Sequence, residues 1–459
     1  MRGSALLVSC IILTACTQQP TPLPGLASGD VPVALGQGAT MAAWPGPDWW
    51  QGFGSSELTA LEIAAQQKNL DIAQAAARLR QADARARAAG AALMPTIGLN
   101  GNAQNFTGTN SAGSGNESDF FAGLGASYEL DFWGRNRAAL DSAEASRAAS
   151  EADRATVALT TSAAIANGYF QLLALRERLA VAQDNLKSAQ AIVSLVQRRV
   201  TAGYAANSDL TAARQGLAAL QAVIPTLQQQ ELETRTALAI LLGRPPAGFV
   251  ITASSLNGIA APAVAPGLPA ELLARRPDIT AAEANLAAAR ADVAAARAAM
   301  MPNITLTAEA GLQNPALNAA VLTLDGAGFA LNLGASLMHT VFDGGRLAAK
   351  TAETEAREEE LLAAYRAAVI AAFGDVETAL GNLNHLAAQK IALQDQAAAA
   401  ESVLRAAQRK YTAGGADFLL VTDAQRSLYA VRDQRADILR AHLAASVALF
   451  KALGGGWRH

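Results

Sequence analysis

Four stretches of this chain alternate apolar and polar residues with a period of two. In the first, Ile97, Leu99, Gly101 and Ala103 alternate with Gly98, Asn100, Asn102 and Gln104. The second sets Phe120, Ala122, Leu124, Ala126, Tyr128, Leu130 and Phe132 against Phe121, Gly123, Gly125, Ser127, Glu129 and Asp131. In the third, Ile304, Leu306, Ala308, Ala310 and Leu312 alternate with Asn303, Thr305, Thr307, Glu309 and Gln313. In the fourth, Phe329, Leu331, Leu333, Ala335 and Leu337 alternate with Asn332, Gly334 and Ser336. The period predicts strands with one apolar face at about 96–106, 119–133, 303–313 and 329–342. Thr107 to Ser118, rich in Gly, Ser and Asn, reads as the loop between the first two. Each strand reaches about ten residues, enough to cross a bilayer at a tilt. Glycine and polar residues behind the apolar face suit the wall of a water-filled barrel. Four strands cannot close one, and an open edge in lipid leaves backbone groups unsatisfied. The pattern therefore calls for several copies. Two copies would make a small barrel plugged by its own side chains, and three a ring wide enough for a channel.

Elsewhere the period is helical. Helical text runs from Leu58 to Met94 and stops at Pro95. Two far longer segments run from Arg135 to about Val200 and from Arg346 to about Tyr411, each close to about 100 Å at the α-helical rise. Each breaks at glycine and returns as a shorter helix. On the first return helix Leu210, Leu217, Ile224 and Leu238 occupy one heptad position and Ala213, Leu220, Leu227 and Leu241 the other, a coiled-coil seam. The two halves also echo each other. Thr201-Ala202-Gly203 matches Thr412-Ala413-Gly414, Gly134-Arg135 matches Gly345-Arg346, and Gly243 matches Gly454, all at an offset of 211. Asp71-Ile72 answers Asp278-Ile279 and Pro95 answers Pro302 at an offset of 207. The chain reads as a tandem duplication: a first repeat at 58–243, a Pro/Ala-rich linker at 244–275, a second repeat at 276–454 and a tail at 455–459. Helical-hairpin tips fall at about 201–206 and 412–417, where glycine ends one helix before the next begins. The fold class is α+β, a membrane protein built on an internal repeat.

Composition narrows the function. The net charge of −3 leaves no nucleic-acid footprint. Alanine makes up roughly a quarter of the chain, which suits long helices that approach closely. Aromatics at 5% are thin for a compact enzyme of 459 residues. His339, His385, His442 and His459 are scattered without metal-ligand spacing, and no Gly-rich loop has phosphate-binding form. No catalytic residue, metal site or enzyme activity is expected. At the start, the apolar run Ala5 to Ala15 reads as the core of a signal peptide spanning 1–15. It ends in Leu13-Thr14-Ala15-Cys16, which resembles the lipobox of bacterial lipoproteins. That resemblance makes Cys16 the lipidated first residue of the mature chain, with no cofactor beyond the covalent lipid. Residues 16–57 read as a tether that ends in an aromatic cluster, Trp44, Trp49 and Trp50.

The run Gly267-Leu-Pro-Ala-Glu-Leu-Leu-Ala-Arg-Arg-Pro-Asp-Ile-Thr-Ala-Ala-Glu283 resembles the outer membrane efflux protein family. Within it the chain is similar to the NodT-type lipoprotein outer membrane factors of resistance-nodulation-division pumps. Tyr128-Glu-Leu-Asp-Phe-Trp-Gly-Arg135, Val341-Phe-Asp-Gly-Gly-Arg346 and the tip segment ending Leu419-Leu-Val-Thr-Asp-Ala-Gln-Arg-Ser-Leu428 carry the same resemblance over the whole mature chain. One departure is His339-Thr340, where the family often has proline before the second of these runs. The resemblance implies a homotrimer with a twelve-stranded β-barrel in the outer membrane, continued by a long α-helical barrel across the periplasm. It also implies two partners, a periplasmic adapter (membrane fusion) protein and an inner-membrane resistance-nodulation-division transporter. Function follows as the exit duct of a tripartite efflux pump for small molecules such as drugs.

By the same resemblance Leu419, Asp423 and Arg426 match the residues that ring the periplasmic aperture. Leu419 would give an apolar constriction, and the charged pair would hold neighbouring helices inward. Read from spacing alone, Asp423 and Arg426 are equally a solvated i,i+3 ion pair. Thr201-Ala202-Gly203 and Thr412-Ala413-Gly414 would be turns small enough for an adapter's helical tip to dock. Leu420 stands where a second family pattern has an acid, so a doubled acidic ring is not expected. Glu129 and Asp131, on the polar strand face, are candidates to line the channel near the barrel's base. Two other readings stand beside the efflux duct: an exit duct for an ATP-driven type I secretion system, and a periplasmic coiled-coil structural protein.

Overall fold

The computed structural model describes residues 44–110, 113–262, 275–314 and 328–457. The signal peptide, Cys16 and most of the tether lie outside the described residues. After a short 3-10 turn at Trp49–Phe53 come α1 (Ser56–Lys68), α2 (Leu70–Ala91), β1 (Thr96–Asn110) and β2 (Gly113–Leu130). The first long helix, α3 (Arg135–Thr201), returns as α4 (Asn207–Leu241). The second half repeats this as α5 (Pro277–Ala298), β3 (Asn303–Asn314), β4 (Gly328–Met338), α6 (Arg346–Thr412) and α7 (Phe418–Ala452). The repeat is kept to the residue. Both long helices have 67 residues, both return helices 35, and α2 and α5 have 22 each.

The offset read from the sequence reappears in the joints. Asn69 and Arg276 are equivalent residues, each just before a helix, and each reaches across to the end of a return helix. The Asn69 amide donates to the Leu241 carbonyl at 2.7 Å, and Arg276 donates to the Ala452 carbonyl at 3.2 Å. Gly243 and Gly454 close these joints at φ +62° and +85°. A Cβ there would fall 2.2 Å from the Lys68 carbonyl oxygen or 2.0 Å from that of Arg275, so only glycine fits. Arg276 is nearly buried and also grips Asp278 at 2.6 Å and Asp375 at 3.0 Å. Burial alone would raise the Asp278 pKa, but the guanidinium outweighs it and the net shift is downward. Arg276→Ala strands both carboxylates and the Ala452 carbonyl. Because both carboxylates are partly wet, a loss of about 2 kcal/mol is expected, read as a lower midpoint in chemical denaturation.

The core sits in a collar around the middle of the long helices. Phe53, Leu58, Ile165, Phe170, Leu172, Leu173, Leu238 and Val447 are all buried there. Trp49 stacks on Phe450 at 5.2 Å, so the tryptophans pack onto the body. The linker's described part, 244–262, contains no helix or strand and lies on this collar through Ile251 and Leu256. Glu57 accepts from Thr252 N–H at 2.6 Å and Ala253 N–H at 3.0 Å, and Arg176 donates to the Ile251 carbonyl at 2.9 Å. The linker is thus clamped from two sides. In the same collar Glu62 is fully buried, and its carboxyl oxygens take no well-formed hydrogen bond. Burial pushes its pKa up to about 8, the Ser162 hydroxyl offsetting only part of that. Above the ordinary value of 4.5 the unfolded chain sheds this proton while the folded chain keeps it up to about 8. Stability contributed at low pH is therefore lost as pH rises through that window. Glu62→Gln is expected to remove this decline, measured as melting midpoint against pH.

The four strands form one antiparallel sheet in the order β1-β2-β3-β4. Its register brings the four apolar sets onto one face. Leu99 lies opposite Leu124, Leu124 opposite Ala310, and Ala310 opposite Leu331. The other face carries Gly98 opposite Gly125, Gly125 opposite Glu309, and Glu309 opposite Asn332. Strand ends differ from the sequence reading. The β1–β2 ladder runs out to Asn110 opposite Gly113, through most of the stretch read as a loop. Alternation reports a buried face, whereas ladder pairing needs only backbone groups, so the polar extension left no apolar signal. At their other ends β2 stops at Leu130 and β4 at Met338, short of 133 and 342, because the following residues serve the turns into the long helices. Asp131 accepts from the Asn136 and Arg137 N–H groups, capping α3, and Asp343 does the same for α6 through Leu347. Glu129 pairs with Arg135 at 2.6 Å. Both Glu129 and Asp131 therefore fix the strand-to-helix turn.

Candidate functional site at the hairpin tips

Each hairpin tip is built by a helix that cannot continue past glycine. Gly203 and Gly414 sit at φ +79° and +78°. The Gly203 N–H bonds back to the Val200 carbonyl and the Tyr204 N–H to that of Arg199; Gly414 to Tyr411 and Gly415 to Lys410 repeat the pattern. This double closure satisfies the last carbonyls of both long helices. Thr201, Ala202 and Gly203, like Thr412, Ala413 and Gly414, are all exposed at the ends of the hairpins. Asp417 caps the return helix α7 through the Leu419 N–H.

The two tips are fastened to each other within one chain. Val196, Leu210, Tyr411, Phe418 and Val421 form a small buried core between them. The Arg199 guanidinium lies 4.4 Å above the Tyr411 ring and donates to the Tyr411 carbonyl at 2.7 Å. Farther along, Arg178 on α3 makes a two-pronged pair with Asp433 on α7 at 2.7 and 3.0 Å. Sequence reading missed both ties. An arginine in a helix's last turn looks like a helix-end charge, and its partner is 212 residues away.

On α7 the stripe Phe418, Val421, Ala424, Leu428 and Val431 is buried, its first three residues in the core between the two tips and Val431 against Leu393 and Ala397 of α6. Leu419, Asp423 and Arg426 lie on the opposite, exposed stripe, with Leu419 60% exposed. Leu420 beside it is also exposed. Among the described residues Asp423 and Arg426 form no ion pair with each other, despite the i,i+3 spacing. Both charges are left on a face that points away from the chain's own core. Arg426 also edges an apolar groove between α3, α4 and α7, lined by Ile192, Leu217 and Leu220.

No helix among the described residues is long and apolar enough to cross a membrane. The sheet carries a contiguous exposed apolar surface, with Leu99, Leu124, Phe329, Leu331, Leu333 and Leu337 all open on its single apolar face.

The sequence pattern of outer membrane efflux proteins matches residues 63–244 and 268–455, one segment in each half. The chain belongs to the outer membrane efflux protein family. It is 41% identical to the pyoverdine export outer membrane protein OpmQ of Pseudomonas putida, over 100% of this chain and 98% of that one. It is 32% identical to the outer membrane protein OprJ of Pseudomonas aeruginosa, over 99% and 95%. The solved outer-membrane channel OprN superposes with a TM-score of 0.83 at 28% identity, over 93% of this chain and 97% of that one. Family membership accounts for the exposed apolar sheet, and with it the chain is an outer-membrane efflux channel.

Proposed function

We propose that three copies of this chain close a twelve-stranded barrel in the outer membrane and a helical tunnel beneath it, forming the exit duct of a tripartite efflux pump. The observation that carries this reading is the sheet. It has one continuous apolar face, one glycine and polar face, and, among the described residues, two unpaired edges, β1 and β4. Such a sheet is stable in lipid only when its edges are paired. The helices that follow, 67 residues each, reach about 100 Å from it, enough to extend far into the periplasm. In this arrangement Leu419, Asp423 and Arg426 recur three times around the axis and narrow the periplasmic aperture. The small residues Thr201, Ala202, Gly203, Thr412, Ala413 and Gly414 receive the tips of a periplasmic adapter, which joins the duct to an inner-membrane transporter. Lipid on Cys16 adds an anchor in the outer membrane.

The cargo class is small solutes. OpmQ is named for pyoverdine export and TtgC, another relative, for toluene efflux. These names favour small-molecule traffic over the secretion-duct alternative. The test is reconstitution: detergent-purified protein should run as a trimer in light scattering and give discrete conductance steps in planar bilayers. A protein that stays soluble without detergent and never conducts would sink the reading and favour the periplasmic coiled-coil rod.

A further inference from the structure

The return helix α4 leaves open volume beside it where its counterpart α7 is packed. Leu428 and Val431 on α7 are 5% and 3% exposed. Their equivalents at the offset of 211, Leu217 and Leu220 on α4, are only partly buried. The difference lies in what faces them. Val431 packs on Leu393 and Ala397, whereas the α4 pair looks onto the groove between α3, α4 and α7. Ala189 on α3 and Gly216 and Ala219 on α4 supply too little side chain to fill it. The groove has a volume of about 230 Å³ and is walled by Ile192, Val223 and Phe418 as well as the two leucines. Its charge is of one sign. Among the described residues no carboxylate lines it, and its only charged group is Arg426, which makes no ion pair among them. Gln215 and Gln425 add amide donors.

We infer that this groove is a binding site for a small amphipathic anion, a compact aromatic body bearing a single carboxylate. The body lies against the leucines and Phe418, and the head meets the Arg426 guanidinium in a charge-assisted hydrogen bond. Sites for drug-sized ligands run to roughly 300–1,000 Å³, so this smaller groove excludes a peptide or a lipid. A cation would meet Arg426 without an acid to offset it. A neutral hydrocarbon would gain nothing from the guanidinium. The site lies within one chain. Because Arg426 belongs to the proposed aperture, an occupant also sits where cargo enters the duct; that consequence rests on the proposed function, and the site does not.

Photolabelling tests it. The probe para-benzoylbenzoate has such a body and head, and under near-ultraviolet light it cross-links to neighbouring C–H bonds. In the detergent-purified protein it should label peptides within 185–192, 212–223 or 418–429, mapped by mass spectrometry, and naphthoate should compete. Benzophenone, which lacks the carboxylate, should label these peptides several-fold less. Arg426→Gln should bring labelling by para-benzoylbenzoate down to that level, and Gly216→Leu should abolish it. A Cβ at Gly216 meets nothing within 4 Å, so the leucine grows into the groove, and it replaces a mid-helix glycine with a better helix former. That variant should keep the wild-type melting midpoint or exceed it. Equal labelling by benzophenone would overturn the inference, as would labelling confined to the sheet or undiminished in Gly216→Leu. An unlabelled wild-type trimer that Gly216→Leu breaks into monomers would overturn it too, because a second copy then fills the groove. Labelling is read without conductance, so a failure of the duct reading leaves this result standing.

Discussion

Channels carrying Asp423→Ala together with Arg426→Ala are expected to conduct several-fold more than wild type in planar bilayers at the same salt and voltage. Spacing alone allowed these residues to satisfy each other along one helix, in which case removing them would change little. In the structure both lie exposed on α7, and among the described residues they form no ion pair with each other. In the proposed trimer their remaining partners are water and the neighbouring helices of other copies. If these charges hold the hairpins inward, as proposed, each removed charge takes away such a contact, and three copies multiply the effect. The hairpins should not unfold, because the buried stripe Phe418, Val421 and Ala424 and the Arg199–Tyr411 contact are untouched. Leu419→Ala should widen the aperture by volume alone, without the salt dependence that removing charges brings. Unchanged conductance in the charge variants, with a rise in Leu419→Ala, would place the gate at the apolar ring.

Leu333→Arg should largely abolish assembly into the outer membrane. Leu333 is 76% exposed, on the apolar face between Leu331 and Ala335. An arginine facing lipid near the bilayer midplane costs about 2–4 kcal/mol per strand crossing, and a trimer incurs that cost three times. The adjacent residue Asn332 points to the other face, opposite Glu309. Asn332→Arg should therefore insert normally and shift ion selectivity toward anions. Equal behaviour of the two variants in outer-membrane fractions would contradict the assignment of the two faces.

Most of the architecture was readable because it is written twice and in simple periods. Alternation gave four strands and their common face, and matched glycines located the tips and the offset that the helices keep to the residue. What escaped the sequence was whatever depends on contacts between distant residues. The polar part of the β1–β2 ladder carries no alternating signal. Glu129 and Asp131 obey the strand period, yet their carboxylates are taken by Arg135 and by the first N–H groups of α3. The clamp on the linker by Glu57 and Arg176 joins segments that nothing in composition links. At the candidate site, exposure of Leu419, Asp423 and Arg426 follows from which stripe of α7 is buried. Their role depends on neighbours that a single chain does not contain.

The duplication also bears on how such a gate could arise. A half-length ancestor would have needed six copies to build the same ring, and any residue at its tip would have appeared six times. In this chain the counterparts of Leu419, Asp423 and Arg426 on α4 are Ser208, Ala212 and Gln215, all exposed and uncharged. Fusion of two halves lets one hairpin diverge in sequence while the other keeps its uncharged face. Six equal hairpins can only narrow or widen together, whereas three and three can divide the labour between a fixed frame and a moving set.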